Sequence, residues 1–302
     1  ILGQQGGIVG GVGQALAITF PLTEKGKSQN QILSEKVALT IELNEAKSYG
    51  VESDITKLNE ELLALPQVPD ASDDLIWSII IAGFTIVLLI NGKFSLIENF
   101  CIILVSSFTL ITILNLFALQ SYDSWAIKME EIIHGLSFSF PEAKQGSNPL
   151  LTAIATFGII GVGVSEILVY PYWCTEKGYA AYTGKKDQST EWLNRANGWI
   201  KVMKWDAWGS MIVYTFCTIS FYLLGASILG RTGLVPAGSE MIQTLSSMYN
   251  PVFGKWAEMI FLIGAVAVLF STFFVALAGQ SRMAVDAMII SGILHNDQTL
   301  RL

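Results

Sequence analysis

Residues 150–184 read LLTAIATFGIIGVGVSEILVYPYWCTEKGYAAYTG, and the rest of the chain is best read outward from them. The apolar run around them, Gln145–Thr175, carries a single charge, Glu166, followed by Pro171. Gly158, Gly161 and Gly163 are small enough for helices to approach closely. A carboxylate inside such a run costs roughly 2.5 kcal/mol or more if it faces lipid, so intramembrane acids usually face a polar cavity. Proline lacks a backbone donor and clashes with the preceding turn, which frees carbonyls near Ile167 and Leu168. Freed carbonyls beside a carboxylate suit a hard cation, and broken helices of this kind mark substrate sites in transporters. A plain proline kink, with Glu166 paired to a buried donor, accounts for the same residues equally well. Tyr170, Tyr172 and Trp173, close to Lys177, also fit an interfacial aromatic belt.

The surrounding composition makes this run a membrane segment. Of 302 residues, 52% are hydrophobic and only 14% charged, with a mean hydropathy of +0.50. A soluble domain carries roughly a quarter charged residues. Uncharged runs long enough to cross a bilayer occur at Ile1–Thr23, Leu75–Gly92, Asn99–Tyr122, Ala207–Gly230 and Met259–Ser281. With Gln145–Thr175 they make about six crossings. No segment alternates apolar and polar residues as a barrel strand does, so the fold class is all-α and polytopic. Cys101, Cys174 and Cys217 are an odd set in or beside apolar runs, which excludes a disulfide scaffold. A net charge of −7 excludes nucleic acid as a partner. The chain opens at Ile1 inside an apolar stretch, so we read it as an internal fragment of a longer protein.

The loops give an orientation. Glu176–Asp206 holds Lys177, Lys185, Lys186, Arg195, Lys201 and Lys204 against four acids, the balance of a cytoplasmic loop. Glu24–Asp74 has five lysines and eleven acids and is placed outside. Within it, Leu33, Val37 and Ile41, then Ile55, Leu58, Leu62 and Leu65, recur at helical steps, with Tyr49-Gly50 between them and Pro66 and Pro69 after them. The expected organisation is a partial transmembrane helix over 1–23, an acidic extracytoplasmic helical hairpin over 24–74, and a transmembrane core with five further crossings over 75–302. The hairpin reads as a solvated appendage that packs on itself or on a protein partner, or as a funnel that gathers cations.

Other residues carry weaker signals. His134 and His295 lie far apart outside the apolar cores, which argues against a paired-histidine metal site. Cys174 reads as a small buried hydrophobe. Asp206 reads as an acid at the start of a crossing, favoured there by the helix dipole. Gln280 and Asp286 fall near the cytoplasmic end of the last crossing, where they either line a pathway or sit at the interface. No nucleophile–base or phosphate-loop motif stands in a supporting context, so the chain is not read as an enzyme.

Three stretches together resemble the Nramp family of divalent-metal transporters. Tyr170-Pro171-Tyr172, after a glycine-rich half-helix, resembles the family's sixth helix and its Met-Pro-His signature. Lys204-Trp205-Asp206 resembles the start of the seventh. Phe270-Ser271-Thr272 through Ala278-Gly279-Gln280 and Met283 is similar to the eighth, and Lys93 through Glu98 to the turn into the fifth. The resemblance covers the third through eighth helices and makes the acidic hairpin an insertion in an extracytoplasmic connection. It implies an inverted-repeat (LeuT-like) transporter fold, with the metal held between unwound parts of helices one and six.

Under this resemblance the family's metal-binding methionine falls on Tyr170, its binding carbonyl on about Ile167 and the signature histidine on Tyr172. A second histidine falls on Lys177, and Glu166 stands where the family usually has a small residue. Losing a thioether and gaining a carboxylate favours harder ions such as Mg²⁺ or Mn²⁺. The helix-one Asp-Pro-Gly-Asn motif does not occur in these 302 residues. The third-helix acids of the proton route fall near Ile8 and Gly11, which cannot titrate.

The expectation is therefore a multi-pass protein of the cell (inner) membrane that moves divalent cations of the Mn, Fe or Mg class and needs no cofactor. Glu166, Ile167 and Tyr170 form its metal site, and Pro171, Tyr172 and Gln280 its helix break or pathway. One alternative is a sodium-coupled amino-acid transporter of the same fold, whose substrate carboxylate Glu166 would repel. Another is a non-transporting sensor or assembly subunit that binds a protein through the hairpin.

Overall fold

Helix boundaries follow local backbone chemistry in the computed structural model, which describes residues 2–50, 52–90, 94–137, 148–159, 164–236 and 241–294. Thr23 is extended ahead of α2 (Glu24–Tyr49), and its hydroxyl accepts the Gly26 amide, satisfying an orphan first-turn donor. Gly50 ends α2 in the left-handed conformation, with φ at 71°. α3 (Glu52–Ala64) then stops before Pro66. Asn148 Oδ1 accepts the Leu150 and Leu151 amides, and Pro149 opens α7 (Pro149–Ile159), where its missing N–H is no loss. The other helices are α1 (Leu2–Thr19), α4 (Asp73–Ile90), α5 (Phe94–Leu119), α6 (Met129–Gly135), α8 (Val164–Glu176) and α9 (Tyr179–Thr183). They are followed by α10 (Thr190–Leu224), α11 (Gly230–Thr232), α12 (Met241–Ser246), α13 (Asn250–Phe253) and α14 (Ala257–Ile290). A π-helical turn, Gly225–Leu229, joins α10 to α11. There is no strand among the described residues.

Four described helical stretches are long and apolar enough to cross a membrane: Asp73–Ile90, Ile102–Leu119, Thr190–Thr232 and Ala257–Ile290. This is the make-up of an all-α polytopic membrane protein. α1 joins them only if it is taken with α2, which leaves it at 91°. The run Gln145–Thr175 is carried by α7 and α8, and residues 160–163 between them lie outside the described residues. The turn expected at Lys93 begins outside them too, as does His295.

α10 starts well before its apolar run. Ser189 caps it through Oγ, which accepts the Trp192 amide. Asp187 in turn accepts the Ser189 amide and hydroxyl, and these hydrogen bonds hold its carboxyl below the usual carboxylate range. Much of the lysine-rich segment is thus helical, and Asp206 lies inside α10 rather than at its start. The dipole argument for that acid does not apply.

The chain forms two compact units. One comprises residues 2–127 and 214–274. Here α1 packs along α4 at Gly13, where a Cβ would run into Ser78 and the Asp74 carbonyl. Phe108, Leu224, Ile228, Met248, Tyr249 and Phe261 are buried in its core. α2 is built into this unit instead of standing clear of it. Leu33 and Val37 are buried, and the helix packs against α11 and α12. Gln243 Nε2 donates to the Asn30 carbonyl at 3.0 Å, and Asn30 Nδ2 donates to the Ala17 carbonyl at 2.9 Å. The apolar stripe read on this helix has a partner within the chain. α3, by contrast, buries none of its described residues. The corner between α1 and α2 is held by the buried Asp73 carboxylate, which accepts the Leu22 amide, the Thr23 amide and the Thr23 hydroxyl at 2.6, 3.0 and 2.6 Å. The second unit, residues 128–213 and Val275 onward, contains α6 to α9 with the first part of α10 and the last part of α14.

α14 meets α5 at Gly264, where an added Cβ would fall on the Phe108 ring. Gly264→Ala is therefore expected to destabilise the detergent-solubilised protein by about 1–3 kcal/mol, the usual range for overpacking. Adding Phe108→Leu should recover part of that loss. An unchanged unfolding temperature in the single variant would contradict the close approach.

Candidate functional site

The six site residues expected from the sequence all fall in the second unit, five on α8 and Gln280 on α14. Pro171 stands inside α8, which continues from Val164 to Glu176. The unwinding expected at this proline is thus absent from the helix. What it removes is one bond: without an N–H at 171, the Ile167 carbonyl loses its partner four residues on. Glu166 lies in the first helical turn, where the positive end of the dipole favours a carboxylate. It and Ile167 are exposed, and Tyr170 is 38% exposed. The carboxylate, the proline-freed carbonyl and the phenol therefore follow one another within little more than one turn. Among the described residues, no three His, Cys, Asp or Glu side chains gather as a metal cluster.

The other side of α8 is packed. Val169, Trp173 and Glu176 recur at helical steps, and Val169 is buried. Gly279 of α14 faces them, and a Cβ there would run into Val169 and stand 3.2 Å from Trp173. Gln280, next along, is only 7% exposed. The expected Ala278-Gly279-Gln280 stretch thus forms the surface on which α8 lies. Its small residue matters because lipid supplies no hydrophobic drive between helices, so contact depends on close packing.

A polar clasp completes the contact toward the C-terminal end of α8. Tyr172 Oη donates to Asp286 Oδ2 at 2.7 Å. Arg282 Nη2 donates to Glu176 Oε1 at 2.6 Å, and Nη1 donates to the Ala278 carbonyl at 3.0 Å. The Arg282 guanidinium lies 5.5 Å from the Trp173 ring centre, close enough for a cation–π contact. Lys177 pairs with Asp206 of α10 at 3.4 Å. Tyr172, where the resemblance put a signature histidine, is therefore a hydrogen-bond donor to α14. Lys177, where a second histidine was aligned, is an ion-pair partner. Sequence reading singled out Tyr172 and Asp286 separately but passed over Arg282 and treated Glu176 as a loop charge. The available signal was the i, i+4 spacing of Arg282 and Asp286 at the end of an apolar run. Cys174 is half-buried and free.

A family model described as natural resistance-associated macrophage protein-like, Nramp, matches residues 62–291, well over half of the chain. No curated protein and no solved structure matches. The matched span contains every residue of the site and the clasp, and leaves α1 and α2 outside it.

The Glu176–Arg282 pair is part-exposed, at 46% and 26% of the side chains. A double-mutant cycle of Glu176→Gln and Arg282→Gln should then give a coupling of about 0.3–1 kcal/mol in unfolding experiments. Tyr172→Phe, which removes the donor to Asp286, should cost about 0.5–1.5 kcal/mol. Strict additivity of the two charge substitutions would show that the pair does not hold these helices together.

Proposed function

Because this chain belongs to the Nramp family, whose members are divalent metal ion transporters rather than enzymes, we propose that it carries a hard divalent cation of the Mn, Fe or Mg class across a membrane. In this reading Glu166 and the Ile167 carbonyl are ligands supplied by α8, Tyr170 shapes or gates the site, and Pro171 leaves the carbonyl free to bind. The metal is substrate, and no resident cofactor is needed. The observation that carries the reading is the adjacency of a carboxylate and a carbonyl without its helical donor, both on an accessible part of α8.

The departures from the family signature set the ion preference. A phenol replaces the soft thioether at position 170, and a carboxylate is added at 166, a donor set for oxygen-loving ions. The positions aligned to the proton-route acids are Ile8 and the buried Gly11, which cannot carry protons. Proton coupling through these positions is therefore not part of this reading. An amino-acid substrate is disfavoured, since its carboxylate would meet the charge of Glu166. The clasp of Tyr172 and Arg282 lies on the cytoplasmic side under the lysine-loop orientation, where it holds α8 against the end of α14. The cell membrane is the expected location, with 24–74 outside.

Uptake of Mn²⁺, Fe²⁺ and Mg²⁺ into proteoliposomes holding the full-length protein tests the proposal. Glu166→Gln should lower uptake on the order of tenfold or more, since a neutral amide is a poor substitute for a carboxylate on a hard cation. Tyr170→Met should move the preference toward softer ions. Wild-type flux of none of these ions in a folded preparation, or full activity in Glu166→Gln, would overturn the site assignment.

A further inference from the structure

The first part of α10 has two faces, and the described residues pack on one of them. Rotation of about 100° per residue puts Trp192, Arg195, Trp199 and Asp206 on one side. That side is covered. Trp199 stacks on Tyr179 and Tyr182 at 5.1 and 5.2 Å, Arg195 Nε donates to the Thr183 carbonyl, Trp192 Nε1 donates to the Gly184 carbonyl, and Asp206 meets Lys177. The opposite side carries Lys201, Lys204, Trp205 and Trp208, which line a surface cavity of about 360 Å³. Trp205 is 77% and Trp208 59% exposed. Neither lysine has an ion-pair partner among the described residues.

Two exposed tryptophans beside two ammonium groups that have no ion-pair partner among the described residues are a poor surface for water. The position in the chain names what covers them. The uncharged run begins at Ala207, and Lys201 lies within about 9 Å of it along the helix axis. The lysines therefore fall at headgroup depth and the indoles at the boundary with the acyl chains, the level that tryptophan favours. We infer that this face of α10 binds an anionic phospholipid, whose phosphate sits between Lys201 and Lys204 and whose upper acyl chains lie on Trp205 and Trp208. The ammonium groups answer the phosphate charge, and the indole faces answer the chains. The site is independent of the metal ligands on α8. A bound lipid also sits across the helix from Asp206, the residue through which α10 holds the end of α8.

Native mass spectrometry of the full-length protein, titrated with phosphatidylglycerol or with phosphatidylcholine of the same chains, reads this directly. Wild type should bind phosphatidylglycerol more tightly than phosphatidylcholine. Lys201→Ala/Lys204→Ala should weaken phosphatidylglycerol on the order of thirtyfold, taking about 1 kcal/mol per basic residue near an anionic surface. Lys201→Arg/Lys204→Arg should restore it. A second measurement covers the case in which the alanine variant fails to fold. Chain-brominated phosphatidylglycerol should quench wild-type tryptophan fluorescence beyond brominated phosphatidylcholine, and Trp205→Phe/Trp208→Phe should remove that excess. Equal binding of the two lipids, unchanged affinity in the alanine variant, or displacement by soluble glycerol 3-phosphate would each overturn the assignment. So would loss of self-association in place of lipid, which would make this face a contact between copies.

Discussion

In hydrocarbon a backbone amide or carbonyl without a partner costs several kcal/mol, and water is not there to supply one. That constraint explains why the described chain is helix almost throughout, and it shows at three places where backbone groups lose their helical partners. The α1–α2 corner exposes two amides, and Asp73 accepts both. The start of α7 exposes two more, and Asn148 takes them. Pro171 frees a carbonyl inside α8. Unlike the corner and the cap, this vacancy comes with a carboxylate one residue away in sequence. A polar vacancy beside a charge is what a desolvated cation needs.

The second constraint is how helices adhere when solvent tails are as apolar as leucine. The chain answers with glycine at the crossings: Gly13 against Ser78, Gly264 against Phe108 and Gly279 against Val169. Each lets a backbone approach to a distance that a methyl group would forbid. At Gly279 the close approach also brings Arg282 and Asp286, on the next turns of α14, within reach of Glu176 and Tyr172. The clasp depends on the glycine, because polar side chains of this length meet only if the helices are already near.

Much of this was legible in the sequence. Four of the five uncharged runs fall where long apolar helices stand, and α1 joins them only with α2; Gly50 ends α2 as the turn read in the acidic segment. Ala278-Gly279-Gln280 was recognised by kind, and it proves to be the surface under α8. What escaped reading has a common cause. Helix ends set by capping are invisible to hydropathy, so α10 was started at its apolar run, although Ser189 begins it in the lysine-rich segment. The proline at 171 was given the power to unwind a helix, although losing one donor does not end a helix whose neighbouring bonds are intact. The stripe on α2 was correctly apolar, but periodicity cannot say whether its partner is another protein or α11 and α12. Arg282 was missed because a single base at the end of a crossing looks like an interfacial anchor until its acid is found on another helix.

The Asp73 corner has a consequence for how the chain is made. The carboxylate that closes the turn after α1 is separated from the amide it receives at Thr23 by 50 positions. At ordinary rates of synthesis that interval lasts on the order of several seconds. Until Asp73 has been made, the amides of Leu22 and Thr23 lack the acceptor that the folded protein gives them. Insertion of α4 then delivers the carboxylate, and Trp77 with it, whose indole donates to the Phe20 carbonyl. The corner becomes permanent only at that moment. The turn between α1 and α2 therefore closes only after the segment up to Asp73 has been made.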